Sequence, residues 1–132
     1  MMAYLLDTHV IIWASIVPTK LNQKCMDILT NFDNQVFFSA ASIWEVAIKY
    51  DLGEIDIEPY VLRKELLDNG FKELPIKGEH TVNVLTLPDK MHKDPFDRIL
   101  VSQTKLEKMI FITADEKIIK HAGKYIKIEV CN

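Results

Sequence analysis

Apolar residues arrive along this chain in two alternating rhythms, short continuous runs and helix-spaced stripes. Residues 4–7 open with a run of strand length, residues 8–14 continue apolar into a short helix, and Pro18 marks the loop that follows. Residues 22–32 carry Cys25, Ile28, Leu29 and Phe32 at the i, i+3, i+4, i+7 spacing of a helix face, and residues 36–38 then read as a second strand. Residues 42–52 give the clearest helix. There Ile43, Val46, Ala47 and Tyr50 form one apolar stripe, Glu45 lies off it, and Gly53 stands where a left-handed terminal residue is wanted.

The alternation continues to the end of the chain. Residues 58–69, closed by Gly70, predict another helix, residues 71–76 a short strand despite Pro75, and residues 77–85 a weaker helix. A polar loop over residues 88–93 precedes a helix that Pro95 opens at its first position and that extends to about Glu107. A strand over 109–113, a helix over 115–122 and a strand over 125–130 complete the pattern. Strands alternating with helices predict an α/β fold, a central and mostly parallel sheet flanked by helices. No repeat, linker or low-complexity segment interrupts it.

Composition narrows the class. At 132 residues, 48% hydrophobic and 27% charged, the chain has the size of one domain spanning residues 1–132 and the make-up of an ordinary globular protein. Its apolar runs fall short of the ~18 residues needed for a membrane-spanning helix. The start, Met1-Met2-Ala3-Tyr4, lacks a basic region and a small-residue cleavage site, so the expectation is a cytoplasmic protein without a secretory leader. Cys25 and Cys131 have neither metal-ligand spacing nor the density of a disulfide framework, and read as reduced bystanders. A net charge of −3 argues against coating nucleic acid through bulk positive charge, but leaves room for an enzyme whose metal ions contact phosphate locally.

Chemistry is concentrated in acids set beside apolar runs: Asp7, Glu45, Asp94 with Asp97, and Asp115. Each has an ordinary structural reading. Asp7 suits the N-cap of the first helix, Ser42 with Glu45 and Thr113 with Glu116 have capping-box spacing, and Asp94 before Pro95 is a sound helix start. Capping does not use every acid: Thr113 and Glu116 would leave Asp115 free, Asp94 would leave Asp97 free, and Ser42 can cap without Glu45. Acids delivered to the carboxyl ends of parallel strands can converge, and an oxygen-rich cluster suits magnesium or manganese. Metal-assisted hydrolysis of a phosphodiester would follow. His9, His80, His92 and His121 show no zinc-ligand spacing, and His92 reads as a solvated loop side chain.

Leu5-Leu6-Asp7-Thr8-His9, Ser42-Ile43-Trp44-Glu45-Val46-Ala47-Ile48-Lys49, His92-Lys93-Asp94-Pro95-Phe96-Asp97-Arg98 and Thr113-Ala114-Asp115 resemble, in order, the motifs of PIN-domain ribonucleases, in particular VapC-type toxins of bacterial toxin–antitoxin pairs. The resemblance implies a PIN-like three-layer sandwich, endoribonuclease activity dependent on Mg2+ or Mn2+, homodimerisation, and inhibition by a small antitoxin with a basic tail. It places the catalytic acids at Asp7, Glu45, Asp97 and Asp115, adds Asp94 as a further metal-site acid, and sets the Thr113 hydroxyl near the metal. Lys49, Lys93 and Arg98 are candidates for phosphate contact, although Lys49 has an alternative in an i, i+4 ion pair with Glu45. Two other functions fit the residues less fully: a phosphotransferase with Asp7 as nucleophile, which would ordinarily want a second Asp where His9 stands, and a catalytically silent interaction module.

Overall fold

The structure is a computed structural model describing residues 2–132; Met1, on which the leader reading partly rests, lies outside the described residues. In chain order the elements are β1 (Ala3–Leu6), α1 (Thr8–Ile16), α2 (Gln23–Thr30), β2 (Gln35–Ser39), α3 (Ala40–Asp51), α4 (Pro59–Asp68) and β3 (Lys72–Leu74). There follow α5 (Gly78–Val82), α6 (Pro95–Glu107), β4 (Ile110–Thr113), α7 (Glu116–Ala122) and β5 (Lys127–Val130), with single 3-10 turns at Pro18–Lys20 and Asn83–Thr86. The five strands form one sheet in the order β3-β2-β1-β4-β5, and every pairing is parallel.

Period-two alternation builds a core on each face of this sheet. Tyr4 and Leu6 of β1, Val36 and Phe38 of β2, and Ile112 of β4 pack with Val10 and Ile11 of α1, Cys25 and Ile28 of α2, and Leu62 and Leu66 of α4. Leu5 and Phe111 point the other way, into a second core with Leu100 and Val101 of α6 and Ile118 and Ala122 of α7. Helices therefore cover both faces, which is the expected three-layer α/β sandwich. Both cysteines are buried, and burial pushes the Cys25 thiol up to about 12 and the Cys131 thiol up to about 11, which keeps them unreactive.

Boundaries differ from the sequence expectations where polar residues take on packing roles. The second helix stops at Thr30, leaving Phe32 beyond it and fully exposed rather than on the buried stripe. The third helix begins at Ala40, capped by Ser39, whose hydroxyl accepts from the Ala41 amide at 3.0 Å; Ser42 lies inside the helix and caps nothing. Its buried face is Ala41, Ser42, Glu45 and Val46, whereas Tyr50 is exposed. The region read as one helix over residues 77–85 divides into α5 and the 3-10 turn. No helix among the described residues is long and apolar enough to cross a membrane.

Gly70 ends α4 with φ +88°, and the next amide, that of Phe71, closes back on the Leu66 carbonyl at 3.0 Å. A side chain in that left-handed conformation is disfavoured by roughly 1–2 kcal/mol. Gly70→Ala should lower stability by about 1 kcal/mol, whereas Gly78→Ala, at a helical position with open space around the new Cβ, should be neutral or raise it slightly. Urea-unfolding midpoints of the two variants check this; equal effects would contradict it.

Candidate active site

The chain builds β1, β2 and β3 outward in one direction and then returns to lay β4 and β5 on the other side of β1. At such a reversal the connections leaving two neighbouring strands diverge, opening a crevice at their carboxyl ends. Asp7 directly follows β1, and its amide donates to the Ile112 carbonyl of β4 at 2.9 Å. Asp115 follows β4, Glu45 is carried by the helix that follows β2, and Asp94 and Asp97 open α6. All five acids line one pocket of about 530 Å³, together with Thr8, His9, Lys49, His92, Glu116 and Lys117.

Asp7 is buried and committed at both oxygens. Oδ1 accepts from the Thr8 amide at 2.7 Å, as an N-cap, and Oδ2 accepts from the Thr113 hydroxyl at 2.6 Å. Burial raises its pKa, partly offset by the Thr113 hydrogen bond. The same Thr113 oxygen accepts from the Asp115 amide at 3.0 Å, so one hydroxyl ties the end of β4 to the end of β1. It does not cap α7. Asp115 does, accepting at Oδ1 from the Lys117 and Ile118 amides at 2.9 and 3.0 Å, which corrects the expectation that Thr113 and Glu116 would share that task.

Glu45 is buried on α3, and its Oε2 pairs with Lys49 Nζ at 2.9 Å, an i, i+4 contact that raises the lysine pKa. Thr8 donates to the Ser42 hydroxyl at 2.9 Å, joining α1 to α3 one turn away from Glu45. Asp94 caps α6 as the sequence suggested, with Oδ1 accepting from the Phe96 and Asp97 amides at 2.9 and 3.1 Å. That leaves Asp97 in the first turn without a capping duty. Its carboxyl is pushed up to about 8, first by burial and then by the negative charges of Asp7, Asp94, Asp115 and Glu45.

His92 is not a solvated loop side chain. It is partly buried, with Nε2 3.2 Å from Asp97 Oδ2, a charge-pairing distance without hydrogen-bond alignment. Ligand atoms of His92, Asp97 and Asp115 lie within 4.8 Å of one another. The motif held the signal, since His92 stands two residues before Asp94, but the polar composition of its loop suggested solvent. Lys93 and Arg98 do not line the acid pocket. Arg98 Nη2 donates to the Val84 carbonyl at 3.3 Å, and both cations border a neighbouring cavity instead.

A family model for the PIN domain matches residues 4–124. The chain belongs to the PIN-domain family. No curated protein matches its sequence. Among solved structures, its PIN fold is similar to that of a chain of VapBC2 from Rickettsia felis bound to a DNA fragment from its promoter, with a TM-score of 0.73, 14% identity and coverage of 99% of this chain and 100% of that one. DNA-bound VapBC from Salmonella typhimurium gives a TM-score of 0.71 at 14% identity, covering 98% of each chain. VapBC-5 from Mycobacterium tuberculosis, a member of the VapBC family of toxin–antitoxin systems, gives 0.64 at 16%, again with 98% of each covered. At these identities the likeness is one of fold.

The donor set of this PIN domain suits a hard divalent cation. Carboxylate oxygens predominate, Lys49 is already paired with Glu45, and burial together with the neighbouring negative charges raises the proton affinity of Asp97. One imidazole does not make a zinc site. The raised pKa has a consequence for the metal-free protein. Because the folded state binds the Asp97 proton more tightly than the unfolded chain, this group's contribution is fully present below the unfolded value near 3.8 and is lost as pH rises toward about 8. Asp97→Asn should therefore raise the melting temperature of metal-free protein relative to the native sequence at about pH 9, and by much less at about pH 5. A difference that does not change with pH would contradict the assignment.

Proposed function

We propose that this single PIN domain is a metal-dependent endoribonuclease, acting as the toxin of a toxin–antitoxin pair and hydrolysing RNA phosphodiester bonds. The observation that carries the reading is the convergence of Asp7, Glu45, Asp97 and Asp115 on one pocket at the sheet's reversal, where burial and the neighbouring charges raise the Asp97 pKa. Mg2+ or Mn2+ fits that donor set, with ligand atoms of His92, Asp97 and Asp115 within 4.8 Å of one another and Asp7, Glu45 and Asp94 lining the same pocket. The bound cation would supply an acidified water and offset charge developing on the phosphate.

The chain's own groups divide the remaining work. Thr113 fixes the Asp7 carboxylate and the backbone at Asp115 together, so the two strand ends hold their spacing. Glu45 and Lys49 form a pair whose lysine can turn to a phosphate oxygen once the substrate adds negative charge. Water attack on phosphorus breaks one P–O bond, the displaced sugar oxygen takes a proton, and no cyclic phosphate forms. Asp7 suits a ligand better than a phosphorylated nucleophile, since it is buried with both oxygens accepting hydrogen bonds.

The partner in this reading is a small antitoxin whose basic tail enters the acidic pocket, where arginine finds carboxylates to pair with. VapBC proteins of like fold support it. Cytoplasmic location and a homodimer complete the proposal.

Purified protein free of inhibitor should cleave single-stranded RNA with magnesium or manganese and stop in excess chelator; undiminished cleavage in chelator would sink the metal mechanism. Asp97→Asn should lower the rate by at least ~100-fold, as when a charged group at a reacting centre is deleted. Asp94→Asn should fold and retain part of the activity, because Asn caps a helix about as well as Asp. Rates on one RNA, with thermal melts to confirm folding, check both; an active Asp97→Asn beside a dead but folded Asp94→Asn reverses the two roles.

A further inference from the structure

Beside the acid pocket lies a second cavity of about 440 Å³ with a different character. Its walls include Trp44, Phe96, Val84 and Ile99, and its charged members are Lys93 and Arg98, with no acid among the described lining residues. We infer that this cavity is a nucleobase subsite, seating one unstacked base of a single-stranded substrate between Trp44 and the Arg98 side of the cavity. The inference rests on the ribonuclease reading above and names how that substrate is held.

Sequence adjacency joins the two cavities. Trp44 is the peptide neighbour of Glu45, Phe96 of Asp97, and Lys93 of Asp94, so the aromatic and cationic residues of one cavity alternate with the acids of the other along the same two segments. Neighbouring α-carbons are only about 3.8 Å apart, so the same short stretches of backbone carry lining residues of both cavities. A chain whose phosphate lies over the acids would have its sugar and base to place beside these segments.

The chemistry of the lining selects a base over other occupants. Trp44 is 59% exposed although it is large and apolar, and it meets Phe96 edge to face, with centroids 5.2 Å apart at 74°. That geometry leaves a ring face open for stacking, and aromatic faces are how proteins hold single-stranded bases without depending on one sequence. Arg98 is anchored through Nη2 to Val84, while its Nη1 is buried with no hydrogen-bond partner. A buried donor of that kind calls for an acceptor. A nucleobase brings both a π face and carbonyl or ring-nitrogen acceptors, and its flanking phosphates complement Lys93 and Arg98. A purely apolar surface would supply neither the acceptor nor the charge.

The test is cleavage of a short single-stranded RNA, and of a series carrying one abasic position at each site around the cut, by the native protein and by Trp44→Ala and Trp44→Phe. Because Trp44 is largely exposed, both variants should fold, which melts confirm. Trp44→Ala should raise KM about tenfold with little change in kcat, and Trp44→Phe should recover most of the loss, as expected for one stacked base. One abasic position should penalise the native protein and Phe variant but not Trp44→Ala. An unchanged KM, or an abasic penalty that Trp44→Ala shares, overturns the subsite while the ribonuclease reading stands. A native protein that cleaves no RNA overturns both. Sedimentation showing that Trp44→Ala changes from dimer to monomer, with the KM effect following dissociation, would assign the surface to a second copy and also overturn the subsite.

Discussion

Asp7 is held in the crevice between β1 and β4 with both carboxylate oxygens accepting hydrogen bonds, and five more acids, Glu116 among them, line the same space. Negative charge gathered in a half-buried pocket repels itself, and everything else about this end of the molecule answers to that repulsion. Helix starts relieve part of it. Asp7, Asp94 and Asp115 are the N-caps of α1, α6 and α7, so backbone amides and the positive ends of helix dipoles face the acids. Lys49 offsets Glu45, and His92 stands against Asp97. Burial and the remaining repulsion push the Asp97 carboxyl up to about 8. A divalent cation bound there would replace the Asp97 proton and remove the repulsion at the same time.

Capping and metal binding are consequently not rival explanations of these acids. Asp94 and Asp115 each engage a single oxygen, Oδ1, with helix amides, and no hydrogen bond to the second oxygen occurs among the described residues. Asp97 has no cap to make, and burial and the neighbouring charges together raise its pKa. The neighbouring aromatic cavity, which carries only cations, has the opposite electrostatic sense. The two cavities draw on neighbouring residues of the same two segments, Trp44-Glu45 in α3 and Lys93 to Arg98 at the start of α6.

The parallel α/β layers were legible in the sequence because strand runs and helix stripes each have a period that burial enforces. The start of α6 was legible to the residue, since Asp94-Pro95 combines a cap with a fixed φ. Where polar residues pack, the pattern misleads. Glu45 and Ser42 occupy the buried face of α3 because the pocket and Thr8 are there, which no count of apolar residues reveals. His92 was misread and the cavity that Arg98 borders was not foreseen for a related reason: a long or amphipathic side chain takes its direction from tertiary partners, Asp97 for one and the Val84 carbonyl for the other. The five acids nonetheless line one pocket, because Asp7 and Asp115 follow neighbouring strands and the helices that carry Glu45, Asp94 and Asp97 reach the same end of the sheet.

The central claim is that this carboxylate set is completed by a divalent cation. Calorimetric titration of manganese into the metal-free protein, native and Asp97→Asn, measures it without reference to any substrate. Saturable binding by the native protein, with affinity reduced by roughly tenfold or more when one charged ligand becomes a neutral amide, is the predicted result. No binding at millimolar manganese, or equal affinity in both proteins, would contradict the account.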